Sequence, residues 1–123
     1  MKSSKMQRQR IIYLSCFILV LFIDRGISQA EYPLHRKGDH NYDHGQYQEA
    51  ETNYRKANEI KPKPEVSYNL GNSVYEQKRM PEAVSQYQKA IESTKDTLLK
   101  SRAYYNMGNA HFQNKEYDES IKD

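Results

Sequence analysis

Residues 68–80 read YNLGNSVYEQKRM, and residues 105–117 read YNMGNAHFQNKEY. Both carry Tyr-Asn-apolar-Gly-Asn, then an aromatic seven residues after the first Tyr (Tyr75, Phe112), then Lys three further on (Lys78, Lys115). Aligning the glycines brings a third copy into register at Gly38, and a period of this length is the signature of a repeat architecture. Seven residues after the glycines stand Gly45, Lys78 and Lys115, and nine after stand Tyr47, Met80 and Tyr117. Eleven after come Glu49, Glu82 and Glu119, followed at once by Ala50, Ala83 and Ser120. Sixteen after come Tyr54 and Tyr87, then Ala57 and Ala90, with Pro62 closing the first unit. The glycines lie 33 and then 37 residues apart.

Inside each unit the apolar and small residues recur at helical intervals. Ser67, Leu70 and Val74 share one stripe beside Gly71, and Ala83, Tyr87, Ala90 and Ile91 share another. Gln77-Lys78-Arg79 forms a polar turn between them, and Pro81 suits the first turn of the following helix. Each unit is therefore predicted to be two antiparallel helices. Gly71 and Ala83 are small where the helices cross, because a larger side chain would push them apart. The fold class follows: all-α, a solenoid of antiparallel helix pairs with about two and a half repeats. Their approximate bounds are 31–63, 64–97 and 98–123.

The wording Leu70-Gly71, Tyr75, Met80, Glu82-Ala83, Tyr87, Ala90 resembles the tetratricopeptide repeat. So does Gly38, Gly45, Tyr47, Glu49-Ala50, Tyr54, Ala57, Pro62, and the resemblance extends to Met107 and Gly108 in the third unit. Lys37, Asn41 and Ser120 depart from the family pattern, which predicts a loosely packed or frayed opening helix in the first unit. The additional residues before the third unit include Asp96, placed to cap an early helix that carries Leu98 and Leu99. The third unit stops at Asp123, a few residues into its second helix. Repeat arrays normally carry a polar cap, so either truncation or packing supplied by a partner is expected.

The first thirty residues read differently. Lys2, Lys5, Arg8 and Arg10 precede the apolar run Ile11 to Ile23, and Ser28-Gln29-Ala30 ends the segment. That is the layout of a secretory signal peptide, cut after Ala30. The run of 13 is shorter than the roughly 20 residues a spanning helix needs. Cys16, the only cysteine, lies within it. The leader holds five of the 19 Lys/Arg and one of the 16 acidic residues, leaving 14 against 15 in 31–123. The overall +3 thus belongs to the leader and gives no footprint for nucleic acid.

The resemblance implies binding of a peptide or protein segment along the concave side, lined by the first helix of each unit. Helix geometry places Tyr42, Tyr68, Asn69, Asn72 and Tyr75 there, followed by Arg102, Tyr105, Asn106, Asn109 and Phe112. Asn72 and Asn109 are expected to hold backbone amides, since a carboxamide both donates and accepts. Family members that hold a chain-terminal carboxylate use two basic residues and asparagines. Asn69 and Arg102 match that set, but His35 and Asp39 replace the lysine and asparagine. His40 and His44 lie four apart, a spacing that can hold zinc, but no cysteine or Glu-x-x-His context accompanies them and a solvated helix end is expected. The carboxylates do not converge on an acid/base pair, and no phosphate loop or activated nucleophile occurs. No catalysis, cofactor or metal is expected.

The leader and the repeat wording are also similar to the tetratricopeptide component of Bacteroidetes aerotolerance operons. That likeness implies a periplasmic assembly with membrane-associated partners. Two alternatives stand beside an exported scaffold. One is self-association through the incomplete third repeat, and the other is an adaptor that keeps its N-terminal segment as a membrane anchor.

Overall fold

The computed structural model describes residues 2–120, with side chains at 4–20 and 31–116. Among the described residues five helices follow one another: α1 (Lys2–Asp43), α2 (Tyr47–Ile60), α3 (Pro64–Glu76), α4 (Met80–Ser93) and α5 (Thr97–Ser120). Connections of three residues force neighbours to run antiparallel. Two of these turns need a left-handed residue, supplied by Gly45 (φ 71°) and by Lys78 (φ 64°). Glycine takes that conformation freely, whereas lysine is strained there. Prolines mark the next starts, with Pro64 and Pro81 in the first turns of α3 and α4. There a missing N–H costs nothing.

Each helix packs on the next, and α3 also touches α1 and α5. The core is a row of small and aromatic side chains: Ala50, Tyr54 and Ala57 from α2, and Ala83, Tyr87 and Ala90 from α4, none more than 1% exposed. Val66, Leu70 and Val74 lie between them on α3, and Ala103 and Ala110 carry the row onto α5. Gly38 and Gly71 admit the two rings. A Cβ on Gly38 would stand 2.5 Å from Tyr54 Cε1, and one on Gly71 would stand 2.7 Å from Tyr87 Cε1.

A polar network ties the first unit to the second. The Glu51 carboxylate accepts from Arg55 Nε at 2.9 Å, Gln77 Nε2 at 2.8 Å and Arg79 Nη1 at 2.7 Å. Both arginines also pair with Glu82. Burial alone would raise the Glu51 pKa, but hydrogen bonds from Gln77, Arg55 and Arg79 outweigh it and hold the carboxyl below its ordinary value.

Two expectations are corrected. The opening helix of the first unit is not frayed over 31–43. Asn41, where the family has a large residue, is buried and donates to Gln46 Oε1 at 2.6 Å while accepting from Asn53 at 3.0 Å. A satisfied amide pair replaces the apolar contact. The third unit, in turn, has no second helix among the described residues, because α5 runs through Lys115 without turning. Left-handed backbone at lysine costs about 1–2 kcal/mol. At Lys78 the burial of α4 offsets that cost, and no described helix packs back on α5 to do the same. Asp96 caps α5 as expected, accepting from the Leu98 N–H at 2.9 Å.

Candidate functional site

The face shared by α1, α3 and α5 carries the predicted groove residues, and a hydrogen-bond ladder runs along it. Asp39 and Asn72, each the residue after its unit's glycine, are the two rungs. Asp39 Oδ1 accepts from Tyr54 OH at 2.7 Å and from Asn69 Nδ2 at 3.2 Å. Asn72 Oδ1 accepts from Tyr87 OH at 2.9 Å and from Asn106 Nδ2 at 2.9 Å. In both cases the hydroxyl comes from the second helix of the same unit and the amide from the first helix of the next. Asn106 also donates to Tyr68 OH at 3.0 Å, and Tyr68 leans on Tyr87 with ring centroids 5.9 Å apart.

Asn69, Asn72 and Asn106, all placed on the groove face and Asn72 expected to hold a ligand's amides, are thus engaged in holding the units in register. Asn109 stands at the third rung and receives neither a tyrosine hydroxyl nor a downstream amide among the described residues. Tyr105 (72% exposed) and Phe112 (64%) present open aromatic faces on the same stripe. Arg102 is exposed at the start of the stripe, and Tyr75 and Tyr42 are half-buried against the core. Pro62 is exposed in the turn after α2. Met107 is half-buried, and Gly108 is open to solvent, so it does not make the close contact of the other two glycines.

Between α1 and α3 the stripe opens into a cleft of about 380 Å3, lined by Asp39, Tyr42, Asp43, Tyr54, Asn69 and Asn72. Its character is acidic. Burial, and after it the charge of Glu76, pushes the Tyr42 hydroxyl up to about 12. Burial and the bond to Asp39 also raise Tyr54, so it remains a neutral donor. His35 stands edge-on to Tyr54, with its Nε2 3.6 Å from Asp39 Oδ1. The cleft carboxylates Asp39 and Asp43 stand four residues apart on α1. His40 and His44 sit apart from the cleft at the exposed end of α1, where His44 Nδ1 lies 2.7 Å from the His40 carbonyl oxygen.

Paired helices repeated in series, with one face of aromatic and amide groups, define a helical-repeat solenoid. A family model of the tetratricopeptide repeat matches residues 35–97, and a second matches 101–123. The chain belongs to the tetratricopeptide repeat family, whose members generally mediate protein–protein interactions. A comparison with curated proteins found no match.

Proposed function

We propose that the chain is an exported scaffold that holds an extended segment of a protein partner along the α1–α3–α5 face. The observation that carries this is the acidic cleft lined by Asp39, Tyr42 and Asp43, continued along α5 by the open rings of Tyr105 and Phe112. Aromatic side chains give large contact area for few frozen torsions. Two carboxylates at the cleft repel a chain-terminal carboxylate and attract a lysine or arginine side chain. The groove therefore takes an internal basic stretch rather than a free C-terminus. Export is supported by the charge and hydropathy pattern of residues 1–30. Residues 4–20 are exposed, whereas Glu31, the residue after the predicted cut, is fully buried against Lys63. Among the described residues no helix is long and apolar enough to cross a membrane. A periplasmic place beside membrane-associated partners, within a stress-tolerance assembly, is the setting that the leader and repeat wording favour.

The test is a panel of immobilised peptides read with the chain and its variants. Basic internal peptides are expected to bind more tightly than acidic ones. Tyr105→Ala with Phe112→Ala should weaken binding tenfold or more without changing helicity, because both rings already lie in solvent. Asp39→Asn with Asp43→Asn should erase the preference for basic peptides. Equal binding by all these proteins would remove the groove reading.

A further inference from the structure

The second unit buries a polar side chain that its neighbours leave unsatisfied. Gln86 on α4 is 6% exposed, and its carboxamide makes no hydrogen bond to any of the described residues. Buried amides are almost always paired. The counterpart of Gln86 in the first unit is Asn53, each standing 15 residues after its unit's glycine. Asn53 is also buried, but it donates to Asn41 Oδ1 and to the Glu49 carbonyl oxygen, both at 3.0 Å. Where the first unit has Asn41, the second has Val74, which is buried and apolar. The repeat keeps a buried amide at this place and loses its partner.

Gln86 lines a groove of about 560 Å3 between α2 and α4, with Ser67 and Leu70 of α3 as its floor. The Ser67 hydroxyl accepts from Asn58 Nδ2 at 3.1 Å, but its own proton has no acceptor among the described residues. Two buried polar groups thus keep unused capacity beside one cavity. Arg55 and Lys63 on the walls are held by Glu82 and Glu31. The rim charges that remain, Lys89 and Glu92 of α4 and Glu59 of α2, are of mixed sign. The groove shares no lining residue with the acidic cleft.

A carboxamide offers one donor group and one acceptor. In an extended chain the N–H and C=O of a single residue point to the same side, so one residue meets both. Along α4 the lining positions 86–93 cover about 10 Å, the length of about three extended residues. We infer that the groove between α2 and α4 binds an extended, near-neutral segment of a partner protein by its main chain. Gln86 pairs with the N–H and C=O of one residue, and Ser67 donates to a neighbouring carbonyl. The surface is independent of the α1–α3–α5 face, and loss of either leaves the other.

The probe is the capped peptide acetyl-Ser-Ala-Val-Ala-Ser-amide, titrated into the isotope-labelled full chain while the Gln86 side-chain amide is followed by NMR. That signal is assigned by its absence in Gln86→Met. A saturable shift is expected, with affinity at least fivefold lower when the valine nitrogen of the peptide is methylated and so cannot donate. Gln86→Met should weaken binding by a similar factor, read from the backbone amides of Ser67 and Leu70. It should leave Tm unchanged or raised, since an apolar chain of similar shape replaces an unpaired buried amide. No saturable shift, equal binding by the methylated peptide, or a Tm lowered by Gln86→Met overturns the proposal. So does acetamide binding as tightly as the peptide, which would give the groove to a small amide. A concentration-dependent dimer that Gln86→Met dissolves overturns it as well, and would give the groove to a second copy.

Discussion

At the scale of single residues, the same type does opposite things in different places. Gly71 sits under a buried ring, so Gly71→Ala gains about 0.5–1 kcal/mol of helix propensity but forces overpacking that costs roughly 1–3 kcal/mol. The net expectation is a fall in Tm. Gly108→Ala meets no such ring among the described residues and should raise Tm; a fall there would mean that Gly108 is covered in solution. Glu51 supplies the pH-sensitive contact. Its folded pKa is depressed from the ordinary 4.5, so its contribution is fully present above that value and is lost as pH falls through the folded pKa. Glu51→Gln removes charge-assisted bonds and should destabilise by about 1–2 kcal/mol at pH 7. Urea unfolding at several pH values should show the gap between the two proteins narrowing below about pH 4.5. A gap that stays constant to pH 3 would assign the effect to shape rather than charge.

At the scale of helices and turns, Lys78 and Lys115 occupy one place in the repeat and adopt different backbones. Lys78→Gly relieves left-handed strain of about 1–2 kcal/mol, against about 0.5–1 kcal/mol of added unfolded-state freedom. A stabilisation of up to about 1 kcal/mol by chemical denaturation is expected, and a loss would show that the Lys78 side chain itself contributes to the turn. The helices α2, α3 and α4 were legible because small residues and tyrosines recur at helical spacing, and the Asp96 cap was legible because its side chain acts locally. The ladder was not. An asparagine on a groove stripe satisfies a neighbouring helix or a ligand with the same two groups, so residue type could not separate these roles. Tyr54 reaches Asp39 from 15 residues away, and Arg79 reaches Glu51 from 28. No periodicity encodes such pairings. The straight course of α5 was hidden for a related reason: the wording of the third unit matches the others, and what differs is the packing partner.

At the scale of the whole molecule, the array presents a groove face with an acidic cleft, and the Asp39 and Asn72 ladder runs along it. That ladder has a consequence for how such arrays are extended or rearranged. Every junction runs one way, with the acceptor on the earlier unit and the carboxamide donor two residues before the glycine of the later one. Asp39 and Asn72 are interchangeable as acceptors, but at the donor place the first unit has Arg36, exposed above Tyr32, where the others have Asn69 and Asn106. The units are therefore modules with a fixed head and tail. Splicing a copy of the second unit after α5 would complete the Asn109 rung with a ready-made amide. Splicing a copy of the first unit there would bring a guanidinium to the same acceptor and a longer reach to bridge.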